Sequence, residues 1–249
     1  MYRVTGDREQ GVTHDCAGVP SGSDRTVPLP QPGRLHSGRV AVDILNRARH
    51  VGRAMSDVVF VEGERVTLRP IEEADLGFVT AGVNHPEVRP FVGQSFPTSL
   101  ARERRYLEEL NERTDAVSVL VWAGDDRVGV VEFDPVDREA GVADLGFWIH
   151  PDHHGKGYGR EATELVLGYA FDELRVHKVT AEAYETNAAS RALLESVGFV
   201  HEGVGREDAF LDGEYRDTHY YGILEREWRD QQGGVDGADR TGDDTNDQA

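Results

Sequence analysis

Asp144-Leu145-Gly146-Phe147-Trp148-Ile149-His150-Pro151-Asp152-His153-His154-Gly155-Lys156-Gly157-Tyr158-Gly159-Arg160-Glu161-Ala162 is the stretch that decides the fold. From Ala143 to Ile149 it is mostly apolar and aromatic, which suits a strand, and Pro151 stops it. Gly155, Gly157 and Gly159 allow a tight turn that brings amide N–H groups close to a ligand. From Arg160 to Leu174, the residues Ala162, Leu165, Val166, Tyr169 and Ala170 fall at helical spacing. A strand that runs through a glycine-rich turn into a helix N-terminus is an anion cradle. Free amides and the positive end of the helix dipole converge on the loop. The dinucleotide fingerprint and the P-loop both fail here, because the glycines alternate and Lys156 lies between the first two.

The 249 residues, 38% of them apolar, suffice for one substantial core. No apolar run approaches the ~20 residues that span a bilayer, and the N-terminus shows no apolar signal-peptide region. The single Cys16 cannot form an internal disulfide. These features lead to the expectation of a soluble, cytoplasmic protein. The formal charge of −19 would repel nucleic-acid phosphate and anionic lipid, so neither nucleic acid nor membrane is expected as a partner. The bases are 25 Arg and only 2 Lys, a balance that also suits a halophilic protein whose self-repulsion is screened by salt.

Residues 1–54 differ from the rest: they carry a net charge of +3 and are expected to form a disordered extension with one weak amphipathic helix near Ile44–Met55. The change of charge at Met55 also allows a start at that residue. From Val58 the pattern becomes globular. A strand or hairpin is expected over Val58–Leu68, a helix over Glu72–Val83, and a second helix after Pro97-Thr98-Ser99 with Leu100, Leu107 and Leu110 on its apolar side. Strands follow at Val117–Ala123 and Arg127–Phe133, then Ala143–Ile149, the glycine loop, a helix over 160–174, and a strand at Val176–Tyr184. Asn187 caps a helix Ala188–Val197 that Gly198 ends, and strands near Val200–Phe210 and Arg216–Leu224 close the domain. The order implies a single α/β domain over residues 58–230, with a mixed sheet flanked by helices. Residues 231–249 read as a disordered acidic tail.

His154-Gly155-Lys156-Gly157-Tyr158-Gly159 resembles the pyrophosphate loop of GNAT-superfamily acyl-CoA N-acyltransferases, [R/Q]-x-x-G-x-[G/A], with His154 where Arg or Gln is usual. Glu185-Thr186-Asn187-Ala188-Ala189-Ser190-Arg191-Ala192-Leu193-Leu194-Glu195-Ser196-Val197-Gly198-Phe199 resembles that superfamily's second block, N-x-x-[SA] through G-F. Arg69-Pro70 with Asp75, the segment Glu202–Glu207 and the run Tyr220–Trp228 look like the RimJ/RimL branch, so the resemblance covers about Val58 to Trp228. It implies a GNAT-like, mostly antiparallel sheet and acetyl-CoA as co-substrate. The cofactor-binding residues it implies are Trp148, Ile149, His150, His154, Gly155, Lys156, Gly157, Tyr158, Gly159, Arg160 and Asn187.

Acyl transfer to an amine needs a seat for the pyrophosphate, a polarised carbonyl, a base for the ammonium proton and an acid for the leaving thiolate. The amides of 155–160 offer the seat. Amides near Trp148–His150, freed where the strand splays, offer the polarising donors. By resemblance Asn187 contacts the pantetheine arm, and it also serves as an N-cap. Asp144 matches the strand position of a family base, Glu132 on the preceding strand is its rival, and a water chain is a third route. Leu194 stands where many relatives carry a Tyr acid and cannot donate a proton; by resemblance Ser190 takes that role. Tyr158 and Tyr184 read as packing residues. His150, His153 and His154 lack zinc-type spacing and read as surface histidines, so no metal is expected.

The resulting expectation is an N-acetyltransferase whose acceptor is a primary amine, a protein N-terminus first and a polyamine, amino acid or aminoglycoside second. The segment Phe91–Arg113 is expected to wall the acceptor cleft, and a homodimer is admitted. A non-catalytic acyl-CoA-binding module, motivated by Leu194, and a nucleotide-binding domain are the other classes.

Overall fold

The computed structural model describes residues 58–93 and 95–233. The extension 1–54, Cys16 within it, and residues 234–249 of the tail lie outside the described residues. Eight strands form one sheet: β1 (Val61–Glu62), β2 (Thr67–Pro70), β3 (Val117–Ala123), β4 (Asp126–Asp137), β5 (Val142–Ile149), β6 (Lys178–Tyr184), β7 (Val200–Leu211) and β8 (Glu214–Leu224). The spatial order is β1-β2-β3-β4-β5-β6-β8-β7. Among the described strands only β5 and β6 run parallel, which requires a crossover, and the glycine loop and its helix supply it.

Among the described residues five α-helices flank the sheet: α1 (Leu76–Asn84), α2 (Leu100–Glu112), α3 (Tyr158–Tyr169), α4 (Ala188–Val197) and α5 (Glu225–Gly233). On one face Val131, Phe133, Leu145 and Ala181 pack with Val166 and Leu167 of α3, Leu194 and Val197 of α4, and Trp228 of α5. On the other, Leu120, Trp122, Val130 and Trp148 pack against Val79 and Val83 of α1. Alternate side chains of each strand point to opposite faces, so in β3 Val119 and Val121 enter the first core while Leu120 and Trp122 enter the second.

Several boundaries differ from the sequence reading for local reasons. The first expected helix begins as a 3-10 turn, Glu73–Asp75, because Glu72 and Asp75 cap each other's backbone, and only then becomes α1. Leu100 is exposed rather than part of an apolar helix face. The helix expected over 160–174 starts at Tyr158 and closes in a π turn, Ala170–Leu174, that Arg175 ends at φ 57°. The tail expected from residue 231 is helical through Gly233. Trp228, 7% exposed, anchors that helix against Phe171, while the side chain of Gln231 lies over Gly198.

Candidate active site

Strands β5 and β6 pair from Val142↔Lys178 to Leu145↔Ala181 and then part. Beyond that point a cleft of about 710 Å³ opens, lined by the ends of both strands, the glycine loop, α4 and the turn 87–92. The amide of His150 donates to Val128 O at 2.8 Å, so it is taken by β4 and does not serve as a free donor. Strand alternation puts Trp148 on the same, β4-facing side. The amides of Phe147 and Ile149 therefore face the gap, so of the expected set Trp148–His150, Ile149 does so, while Trp148 and His150 turn to β4.

The glycine loop meets α3 without a side-chain cap. Gly157 is the N-cap residue at φ 79°, a left-handed conformation that suits glycine. The first helical bond is Glu161 N to Gly157 O at 3.2 Å, so the amides of the preceding turn have no partner within the helix. Gly157, Tyr158, Gly159 and Arg160 all line the cleft. A Cβ on Gly159 would meet Leu193 Cδ1 at 3.0 Å and Ile149 Cγ1 at 3.3 Å, so α3, α4 and β5 converge closely at this point. His154 closes the loop from its other end: its Nε2 lies 2.7 Å from Ile149 O. A carbonyl only accepts, so this contact fixes the Nε2–H tautomer.

Of the residues predicted from sequence, Glu132, Asp144, Trp148, Ile149, His154, Gly155, Gly157, Tyr158, Gly159, Arg160, Asn187 and Ser190 come together in the cleft. His150 and Lys156 do not line it. The His150 ring lies near Phe78 and His85, with centroids at 6.1 and 5.3 Å, and is half-buried rather than fully at the surface. The Lys156 carbonyl accepts from Arg65 Nη1 at 3.0 Å. Among the described residues no group of His, Cys, Asp or Glu is placed to hold a metal.

Glu132 occupies the point where the strands part. It pairs across the ladder with Gly146, the first β5 residue beyond the last β5–β6 pair. Burial pushes its carboxyl above the usual carboxylate range, against hydrogen bonding from Ser118, which lowers it. Asp144 lies one row back, where its Oδ1 accepts from Thr180 Oγ1 at 3.0 Å. Glu182, the first β6 residue past the pairing, and Glu87 complete an acidic side of the cleft. Sequence reasoning missed both. Glu182 is two residues from Thr180 on the same strand face, but only the parallel register Asp144↔Thr180 brings that face to the site. The expected wall Phe91–Arg113 is instead Val88, Phe91 and Val92; α2 lines a small cavity of about 20 Å³ behind Glu132 and Trp148.

Opposite, Asn187 Oδ1 accepts from Ser190 N at 3.1 Å and caps α4. Leu194 is fully buried in the core, away from the cleft. Tyr184 is 9% exposed and lines the cleft, and burial raises its phenol, so it stays protonated.

An anion seat at a helix N-terminus, next to a parted pair of strands with carboxylates at the fork, suits a transferase whose donor is an extended, phosphate-bearing molecule. The chain belongs to the GNAT acetyltransferase family: residues 65–200 match the Acetyltransferase (GNAT) domain. It is an N-acetyltransferase with acetyl-CoA as co-substrate, which sets aside the non-catalytic and nucleotide-binding alternatives. YdaF of Bacillus subtilis, provisionally named a ribosomal N-acetyltransferase, is 35% identical over 100 residues, 40% of this chain and 55% of YdaF. The structure of spermidine N-acetyltransferase from Vibrio cholerae with CoA and spermine superposes with a TM-score of 0.64 at 25% identity, covering 67% of this chain and 99% of that one. RimL, a ribosomal alpha-N-protein acetyltransferase in complex with coenzyme A, shares the fold with a TM-score of 0.62 at 20% identity over 67% and 98% of the two chains.

The residues present fit acetyl-CoA. The uncapped amides after Gly157 suit a diphosphate, and the gap between β5 and β6 admits an extended arm.

Proposed function

We propose that the enzyme acetylates a protein N-terminal amine, with Glu132 as the base. The supporting observation is the position of Glu132 at the fork of β5 and β6, in the same cleft as the unpartnered amides of the glycine loop. Acetyl-CoA supplies an activated thioester. The chain's part is to seat its diphosphate on the loop amides and to direct the amides of Phe147 and Ile149 towards the carbonyl. A carboxyl raised by burial is a stronger base than an ordinary glutamate and suits proton removal from an ammonium. Ser190, which lines the same cleft, supplies a proton to the leaving thiolate, and Asp144 is oriented by Thr180. The apolar wall of Val88, Phe91 and Val92 suits the side chains that follow a peptide's amine.

A second reading has a specific observation behind it. Glu87, Glu132, Asp144 and Glu182 line one side of the cleft, an arrangement that also suits a polyamine. The acidic surface and the dominance of Arg over Lys support a cytoplasmic, high-salt setting. The test is acetyl-CoA binding by calorimetry in high-KCl buffer, wild type against Gly157→Glu, followed by thiol release with peptides and polyamines. Turnover with free N-terminal peptides supports the first reading, turnover with spermidine alone supports the second, and binding without any turnover overturns both.

A further inference from the structure

Arg65 stands in the turn between β1 and β2, outside the cleft, yet it touches the glycine loop from behind. Its Nη1 donates to Lys156 O at 3.0 Å and its Nε to Glu161 Oε2 at 2.8 Å. The other Glu161 oxygen accepts from the backbone amides of Arg65 at 2.7 Å and Val66 at 3.1 Å. The guanidinium also covers Gly157: a Cβ there would meet Nη2 at 3.1 Å and Nη1 at 3.2 Å.

Glu161 is the acidic residue in the first turn of α3, and its side chain is only 13% exposed. A carboxylate at a helix N-terminus is ordinarily favourable. Here the same terminus must receive a diphosphate, and an unneutralised carboxylate would oppose it with little screening. Burial, which would raise the Glu161 carboxyl, is outweighed by the two backbone donors and the Arg65 guanidinium, so it stays ionised and fully paired.

We propose that Arg65 is a positioning residue for the acetyl-CoA seat: it fixes the Lys156 peptide and neutralises Glu161, and so sets affinity for acetyl-CoA rather than the rate of transfer. This rests on the assignment of the 155–160 loop as the diphosphate seat. The planar fork matters because one side chain must reach both Glu161 and the Lys156 carbonyl, which an ammonium cannot do with the same geometry.

The experiment compares acetyl-CoA KM, kcat and calorimetric Kd for wild type, Arg65→Met, Arg65→Lys, Glu161→Gln and Arg65→Met with Glu161→Gln. The amide of Glu161→Gln keeps an oxygen for the Arg65 and Val66 amides. Arg65→Met is expected to weaken acetyl-CoA binding about tenfold with kcat within about twofold of wild type. The double variant is expected to recover most of that loss and Arg65→Lys to fall between. Glu161→Gln alone, whose NH2 cannot accept from Arg65 Nε but which leaves the Arg65 charge unopposed, is expected to bind within about threefold of wild type. If Arg65→Met does not fold, the comparison of Arg65→Lys with and without Glu161→Gln carries the same test. A fall in kcat at unchanged KM, or no recovery on removing the Glu161 charge, overturns the proposal. Gly157→Glu tests the seat separately: unchanged acetyl-CoA binding in that variant overturns the loop assignment, whatever Arg65 does.

Discussion

A Cβ added to Gly82 would lie 2.2 Å from Cη2 of Trp148, closer than carbon atoms approach. Helix α1 therefore rests directly on the indole, which also stacks on Phe78 with centroids 5.5 Å apart. The ring forms a wall of the cleft and of the small cavity behind it. Gly82→Ala forces either the indole or the helix to move. It is expected to cost ~1–3 kcal/mol of stability through overpacking and to lower kcat as Trp148 is pushed towards the cleft. Urea melts and steady-state kinetics check this, and a destabilised variant with normal kcat would show that the helix moves instead.

Asp75 and Arg127 form a second contact of the same kind, this time ionic. Asp75 is 2% exposed; its Oδ1 accepts from Arg127 Nε at 2.7 Å and its Oδ2 from Glu72 N at 2.9 Å. The guanidiniums of Arg127 and Arg69 each lie 4.6 Å from the Trp122 ring centroid. Arg127→Met removes the partner of a buried carboxylate and is expected to destabilise by about 3–5 kcal/mol. Asp75→Asn keeps an acceptor for the Glu72 amide and should cost less, about 1–2 kcal/mol. The order of the two denaturation midpoints is the check.

Glu132 links function to pH. Burial raises its carboxyl above the usual carboxylate range, so between the unfolded and folded titrations the native chain holds more protons. Stability then falls as pH rises through that window. Glu132→Gln removes this penalty and is expected to raise the Tm at neutral pH, while the gain vanishes at acid pH, where wild type is protonated in both states. The same variant is expected to lower kcat by roughly 10²-fold or more and to remove the acid limb of the kcat/KM profile. Thermal melts and rates across pH test both. An acid limb that persists in Glu132→Gln moves the base to Asp144.

Much of this was legible in the sequence because the signals were local. Gly157 and Gly198 adopt φ of 79° and 104°, as a loop glycine and a helix-ending glycine should, and Asn187 caps α4 through its own side chain. What was not legible depends on register. The parallel pairing of Asp144 with Thr180 brings Glu182 to the site, and the donation of the His150 amide to Val128 turns Trp148 and His150 to β4 and leaves Phe147 and Ile149 facing the gap. Neither follows from residue type or spacing. Helix α5 was hidden for another reason: it is polar, and a single anchor, Trp228, ties it to the core.

Asn187 and Ser190 share one hydrogen bond, from Ser190 N to Asn187 Oδ1 at 3.1 Å, and that bond leaves the Asn187 amide group and the Ser190 hydroxyl for other work. Two conservative substitutions separate capping from ligand contact. Asn187→Ser keeps an N-cap oxygen and should leave stability within a few tenths of a kcal/mol, whereas Asn187→Ala should cost about 1 kcal/mol. If the amide group also holds the pantetheine arm, both variants raise the acetyl-CoA KM, and Asn187→Ser does so without a change in Tm. Ser190→Ala keeps the backbone donor to Asn187 and should leave Tm and KM near wild type while lowering kcat, on the order of 10²-fold for loss of a general acid. Tyr184→Phe is the matched control. If it lowers kcat while Ser190→Ala does not, the thiolate's proton comes from the phenol on β6.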